Sequence, residues 1–180
     1  EMFTVDRPRK LPNYFTQPKF RSAYLLYFFP LQASKFLHVF NQYPHQLARL
    51  ADEADEISIY DLGAGPATAT IALLMKLLET GKDLPNKIKI ILNDQNAAIL
   101  KDGKNLVELF AHSFSKLRSK VEIKTYAGDW SQIPGLYTQK KGIVLSGHLL
   151  NESLSNEKIQ ERTLSALDQI YESTELGGLV

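Results

Sequence analysis

The sequence predicts an α/β fold with a doubly wound, mostly parallel sheet and a helical cap before it. From residue 57 onward, short β-rich runs alternate with stretches in which apolar residues recur at helical spacing. The run Ile-Lys-Ile-Ile-Leu at 88–92 is nearly continuous in apolar character, which is typical of a strand buried on both faces. Strands that alternate with helices pair in parallel through right-handed crossovers, and these crossovers place helices over the sheet.

Each element of the sheet domain is predicted from its local pattern. Strands are expected at 57–60, 88–92, 121–126 and 142–146, helices at 68–78, 97–114 and 156–173, and a loop or short helix at 129–137. The sequence closes with Gly-Gly-Leu-Val at 177–180, which has the character of the opening of another strand. We therefore expect the last strands of this fold to follow Val180.

A basic arm and a helical cap are expected over residues 1–56, and the sheet domain over 57–180. Prolines and basic residues interrupt the first twenty residues, which favours an extended arm over a helix. The cap is predicted as three helices, at 20–29, 31–43 and 45–56. Pro30 suits the first turn of the second of these helices.

Basic residues of the arm and of the first cap helix are candidates for contacts with the phosphates of a nucleic acid. These residues are Arg7, Arg9, Lys10, Lys19 and Arg21. Contacts of this kind weaken steeply as salt is added. A solvated terminus without a partner is an equally good interpretation of the same composition.

Composition excludes several classes of protein. With 21 basic and 20 acidic residues, the chain as a whole has no field that would draw it to nucleic acid or to a membrane. The absence of cysteine excludes a disulfide framework, a thiolate metal site and a cysteine nucleophile within these residues. The longest apolar run, 23–31, is too short to span a bilayer, so we expect no membrane partner and a cytoplasmic location. The histidines lack ligand spacing, which predicts no metal site.

The motif that carries chemistry is a glycine turn between the first strand and the helix at 68–78. It reads Asp-Leu-Gly-Ala-Gly-Pro-Ala at 61–67. In a doubly wound sheet, ligands bind at the carboxyl ends of the strands, beside the point where the strand order reverses. Gly63 and Gly65 permit a tight turn and the close approach of a ligand, and the amino end of the following helix favours a carboxylate or phosphate.

The spacing around this turn disfavours a nicotinamide dinucleotide. That fingerprint requires a third glycine or alanine three positions after the second glycine, where this sequence has Thr68. It also requires an acid about twenty residues on. The acid that ends the next strand, Asp94, lies 31 residues after Gly63 (94 minus 63).

The segment Asp-Leu-Gly-Ala-Gly-Pro-Ala-Thr at 61–68 resembles the first motif of class I S-adenosylmethionine-dependent methyltransferases, which have a Rossmann-like fold. The resemblance implies that the turn lies near the methionine part of the cofactor and that an acid after the second strand binds the ribose. It also implies that an acid after the third strand lies near adenine. The residues concerned are Asp61, Gly63, Ala64 and Gly65 for methionine, Asp94 and Gln95 for ribose, Asp129 and Trp130 for adenine, and Ser146 after the fourth strand.

A narrower resemblance rests on three segments in order. They are Ala-Tyr-Leu-Leu-Tyr at 23–27 followed by Pro30, the glycine turn, and Ser-Gly-His-Leu-Leu-Asn-Glu at 146–152. This order is similar to the methyltransferase-like proteins associated with the mitochondrial small ribosomal subunit and to their bacterial relatives. It implies ribosomal RNA or the small ribosomal subunit as partner, and the mitochondrial matrix as location in a eukaryote. Ala67 departs from the usual glycine, and the lack of cysteine removes any basis for an iron-sulfur cluster here.

Catalytic residues are not identified by the sequence. His148, Asn151 and Glu152 follow the fourth strand, where groups that face the substrate collect, and are weak candidates. Methyl transfer is an in-line displacement that depends mainly on proximity and orientation, so it requires no fixed acid or base motif. Two other functions remain open, a non-catalytic ribosome-assembly or RNA-binding factor and a small-molecule methyltransferase.

Structural roles also remain open for several of these residues. Asp94 is also a candidate for capping the next helix, and Asp129 is also a candidate for stabilising a turn. Trp130 has the size and apolar character of a core residue, and His148 suits packing or hydrogen bonding.

Overall fold

A computed structural model describes residues 14–53, 55–133 and 142–147, together with 161, 164–166, 168 and 169. The helices are α1 (Pro18–Phe40), α2 (Pro44–Glu53), α3 (Thr68–Glu79) and α4 (Ala97–Ser113). The strands are β1 (Glu56–Leu62), β2 (Lys87–Asp94), β3 (Val121–Ala127) and β4 (Gly142–Leu145), and short 3-10 turns lie at Tyr14–Thr16 and Trp130–Gln132. The predicted alternation of strand and helix is confirmed from β1 to β4.

The four strands form one sheet in the order β3-β2-β1-β4, and every neighbouring pair is parallel. The chain builds outward from β1 to β3 and then returns to the other side of β1, where β4 pairs with it. The strand order therefore reverses between β1 and β4, and that is where open α/β sheets bind their ligands. The architecture confirms an α/β fold and is consistent with a Rossmann-like one.

One face of the sheet carries the main core. Alternate residues of β1 and β2 on this face are aliphatic and fully buried, among them Ile59 and Ile90. They pack against α3 and α4, the two helices that connect β1 to β2 and β2 to β3. Because α3 is apolar around most of its surface, the side that faces away from the sheet also needs to be covered. Helix α1 packs over that side.

The opposite face divides into an apolar half and a charged half. Near the carboxyl ends of the strands, Tyr60, Ile91 and Val144 form a second buried cluster, which Ile133 joins from the loop after β3. Near the amino ends, the same face carries exposed ion pairs, including one of 3.1 Å between Lys87 and Glu122. This contact raises the pKa of the lysine and lowers the pKa of the glutamate. Exposed pairs of this kind add little to stability.

The prediction of two cap helices divided at Pro30 was wrong, because α1 runs from Pro18 to Phe40 as one helix with Pro30 inside it. A proline in a helix interior removes one hydrogen bond and costs roughly 3 kcal/mol. Pro30 lies on the solvent side of α1, whereas Phe29 and Phe36, on either side of it in the chain, pack against the core. Tertiary packing of both halves therefore outweighs the local cost.

Other boundaries differ from the predictions by a few residues. The third cap helix, expected at 45–56, is α2, which begins at Pro44 and ends at Glu53. The helical positions described between 161 and 169 lie inside the helix expected at 156–173. Among the described helices, none has the length and apolar character needed to cross a lipid bilayer.

Candidate functional site

The glycine turn after β1 is open on one side. Its backbone passes through positive φ at Gly63 (67°), Gly65 (52°) and Ala67 (60°). A β-carbon at Gly65 would have no atom within 4 Å, so the space in front of this backbone is empty. Positive φ and open space together let a ligand approach the main chain more closely than a side chain would permit. Ala67 takes the same backbone conformation with a buried methyl group, at a cost of about 1–2 kcal/mol.

Asp61 lies beneath the turn at the end of β1 and is buried, with 2% of its surface exposed. Its Oδ2 accepts hydrogen bonds from the hydroxyl of Thr70 at 2.7 Å and from the backbone amide of Thr70 at 3.3 Å. Thr70 lies in the first turn of α3, and Ala67 at the cap position offers no side-chain hydrogen bond. Asp61 therefore does from the strand what a capping residue ordinarily does from within the helix.

Burial raises the pKa of Asp61 from its ordinary value of 3.8 to about 6. The two hydrogen bonds from Thr70 lower this pKa, and the negative charge of Asp94 raises it further. Near pH 7.5 the carboxyl group of Asp61 is therefore still ionised in most molecules. The turn consequently has a fixed negative charge directly below it.

Asp94, at the end of β2, holds the turn from the other side. Its Oδ2 accepts from the amide of Gly65 at 2.9 Å, and its Oδ1 accepts from the amide of Asn96 at 2.8 Å. The amide of Ala64 also donates to the carbonyl of Asn93 at 2.7 Å. The end of β2 and the glycine turn are thus joined by two hydrogen bonds, one of them to a carboxylate. The cap of α4 itself is Asn96, so Asp94 is not the helix cap that its position suggested as an alternative.

Asn93 joins the end of β2 to the end of β3, and the sequence interpretation missed it. Its buried amide group donates to the carbonyls of Tyr126 at 2.9 Å and Gly128 at 3.0 Å. The amide of Gly128 donates in turn to the carbonyl of Asp94 at 3.0 Å. A polar residue directly after the apolar run 88–92 was the available signal, because a buried amide requires partners.

Asp129 and Trp130 occupy a shallower part of the site. The Oδ1 of Asp129 accepts from the amide and the hydroxyl of Ser131, both at 2.9 Å, and the residue caps the turn Trp130–Gln132. Asp129 is exposed, so it has the turn role that the sequence left open. Trp130 is half-buried against the apolar cluster around Tyr60 on the second face of the sheet.

Ser146 follows β4 beside the start of the glycine turn. Leu145 of β4 pairs with Asp61 of β1, so Ser146, the next residue, lies alongside the end of β1. The hydroxyl oxygen of Ser146 is buried and has no hydrogen-bond partner among the described residues. A buried hydroxyl without a partner costs free energy, so the position fits a polar ligand group.

The remaining candidates contribute less or fall outside the description. Gln95 is exposed where α4 begins, whereas His148, Asn151 and Glu152 lie outside the described residues, as do Arg7, Arg9 and Lys10. Lys19 is exposed, but the guanidinium of Arg21 already donates to Asp102 and to the carbonyl of Phe15, each at 2.7 Å. Within the described ranges, no three His, Asp or Glu side chains come together as a metal site would require.

The site therefore consists of backbone from the glycine turn, the carboxylates of Asp61 and Asp94, and the hydroxyl of Ser146, which has no partner in the part of the chain that the structure describes. Asp61, Gly63, Ala64, Gly65 and Asp94 lie together at the carboxyl ends of β1 and β2, with Ser146 beside them. No protein-family model matches the sequence, and no curated protein matches it significantly.

Proposed function

We propose that this chain binds S-adenosylmethionine at the carboxyl ends of β1 and β2 and transfers its methyl group to ribosomal RNA. The observation that carries the proposal is the position of Asp61, whose carboxylate bonds to the amino end of α3 under the glycine turn. Because this contact places a negative charge near the turn, the turn favours a ligand that carries positive charge. The nucleic-acid part of the proposal rests on the resemblance described above and on the basic arm.

The charge around the turn favours a cationic ligand over a dinucleotide. A pyrophosphate binds at a helix amino terminus because unbonded amides and the helix dipole attract negative charge. Here Asp61 already supplies the negative charge and takes the amide of Thr70, and Asp94 adds a second carboxylate. A ligand that carries an ammonium and a sulfonium gains from these charges, whereas a pyrophosphate is repelled.

The residues present fit the parts of S-adenosylmethionine. The turn, which has open space at Gly65 and positive φ at Gly63, accommodates the methionine portion, and Asp61 supplies negative charge for its ammonium group. Asp94 is half-buried and held in position by two backbone amides, which leaves carboxylate lone pairs to accept from ribose hydroxyls. The hydroxyl of Ser146 gains the hydrogen-bond partner that it lacks among the described residues.

The bound cofactor supplies an electrophilic methyl group on its sulfonium. The chain's own residues bind and orient: the turn fixes one end of the ligand, and Asp94 fixes its ribose. Asp129, exposed after β3, and Trp130 border the region expected for adenine. Transfer then depends on holding the acceptor in line with the methyl group, which is a contribution of proximity and orientation.

Isothermal titration calorimetry tests the cofactor. We expect saturable binding of S-adenosylmethionine, no measurable binding of a nicotinamide dinucleotide, and loss of binding in Asp94→Ala. Asp83→Ala is the matched control, because Asp83 is an exposed acid before β2, at the opposite edge of the sheet. Equal binding by Asp94→Ala and wild type, or preference for the dinucleotide, would contradict the proposal.

Transfer of a radiolabelled methyl group to small-subunit ribosomal RNA tests the acceptor. We expect incorporation that increases with time and disappears in Asp94→Ala. Binding of the cofactor without incorporation into RNA, but with incorporation into small metabolites, would replace the RNA acceptor with a small molecule. Binding without any transfer would identify a non-catalytic factor.

A further inference from the structure

We infer that α4 positions the glycine turn for its ligand and that Gly103 is the positioning residue through which it does so. The inference deepens the proposed function and rests on it, because it concerns how the same turn acquires its binding geometry. Gly103 is not part of the motif that identifies the turn, and it lies 38 positions after Gly65 in the chain (103 minus 65).

Gly103 lies against the backbone of the glycine turn. A β-carbon at this position would lie 2.8 Å from the carbonyl oxygen of Gly65, 3.0 Å from the carbonyl carbon of Pro66 and 3.1 Å from the amide nitrogen of Ala67. All three are backbone atoms, so none can rotate away as a flexible side chain would. Any side chain at 103 must therefore displace either α4 or the turn.

Helix α4 is also held at Asp102, the residue before Gly103. The Nε of Arg21, in the first turns of α1, donates to Oδ2 of Asp102 at 2.7 Å, and both side chains are less than one-third exposed. The Nη1 of Arg21 also donates to the carbonyl of Phe15 at 2.7 Å. This ion pair holds α4 against the amino-terminal part of the chain and limits how far α4 can move to relieve a clash at Gly103.

Displacement of the turn would act directly on the candidate site. Gly65 takes part in both contacts. Its carbonyl lies against Gly103, and its amide donates to Asp94 at 2.9 Å. A shift of this one residue therefore moves the open backbone and alters the position of the carboxylate at once. A glycine in a helix interior is otherwise unfavourable, since alanine is the better helix former. Its presence in α4 is explained by the contact with the turn.

The test compares Gly103→Ala with Asn105→Ala. Asn105 lies on the exposed side of α4, so its replacement improves helix propensity without touching the turn. We expect Gly103→Ala to weaken S-adenosylmethionine binding at least tenfold by calorimetry, and to raise KM for the cofactor while kcat at saturation changes less than twofold. The Gly65 amide should exchange with solvent faster in ligand-free Gly103→Ala, and Asn105→Ala should match wild type in every measurement.

Wild-type affinity in Gly103→Ala, with unchanged exchange of the Gly65 amide, would overturn the inference. If wild type itself binds no S-adenosylmethionine, the proposed function fails, and exchange of the Gly65 amide alone decides whether α4 positions the turn. If Gly103→Ala does not fold, Asp102→Asn decides instead. We expect Asp102→Asn to weaken cofactor binding about threefold, and no further loss when Arg21→Gln is added, whereas unchanged affinity would overturn the inference.

Discussion

The candidate site has two halves that are built differently. In the half formed by β1 and β2, the two carboxylates are buried or half-buried and bonded to backbone amides of other segments, as Asp61 is to Thr70 and Asp94 is to Gly65. In the half formed after β3, Asp129 is exposed, and its carboxylate accepts from Ser131, two residues along the chain. The carboxylates of the first half are fixed by tertiary contacts, and the carboxylate of the second by a local turn.

The difference indicates what each half contributes. A carboxylate fixed by several segments is already oriented and partly desolvated, so a ligand gains from it without further ordering. An exposed carboxylate in a local turn interacts through water and gains little. We therefore expect the β1–β2 half to determine affinity and the β3 half to adjust it.

The largest expected effect is on stability, through Asp61. Its pKa is about 6 in the folded chain, against an ordinary value of 3.8. As pH rises from about 4 to 6, the unfolded chain loses this proton before the folded chain does, so the free energy of unfolding falls. The fall approaches about 3 kcal/mol and persists at higher pH. In Asp61→Asn this component should be absent, which urea unfolding at a series of pH values measures.

Asp52→Asn is the control for this measurement, because Asp52 is an exposed acid paired with Lys82 at 3.1 Å. It should keep the wild-type dependence of unfolding on pH. Identical curves for Asp61→Asn and wild type between pH 4 and 6 would show that burial of this carboxylate has no cost. The same Asp61→Asn variant should bind S-adenosylmethionine more weakly, since the negative charge below the turn is gone.

The second effect concerns affinity, through Asp94. In Asp94→Asn the side chain keeps its size, but one of its two acceptor oxygens becomes a donor facing a backbone amide. The substitution also removes the charge that we propose accepts from a ribose hydroxyl of the ligand. Loss of a hydrogen bond to a charged group costs about 1.5–3 kcal/mol, so the Kd for S-adenosylmethionine should rise roughly tenfold to a hundredfold. Calorimetry at constant pH and salt measures it. A change below threefold would place the determinant of affinity outside the β1–β2 half.

The sequence predicted that the glycine turn and Asp94 lie at the carboxyl ends of two strands, because the signals for these positions are local. Glycines in a turn between a strand and a helix, and an acid at the end of the next strand, follow from residue type and spacing alone. Thr70, Asn93 and Gly103 were missed, since their roles depend on partners distant in the chain. The unbroken helix through Pro30 was missed for the same reason: packing on the core overrides a local preference that the sequence does display.

The smallest expected effect concerns Asp129 in the other half. Asp129→Ala removes the cap of the turn Trp130–Gln132, which costs about 1 kcal/mol locally, and removes one exposed carboxylate near the region expected for adenine. The Kd for S-adenosylmethionine should rise less than fivefold, and the variant Asp129→Ser, which keeps a capping oxygen, should recover most of that loss. If capping alone is responsible, raising the salt concentration should leave the difference unchanged. A rise comparable with that of Asp94→Asn would instead mean that the β3 half closes on the ligand and contributes as much affinity as the half beneath the turn.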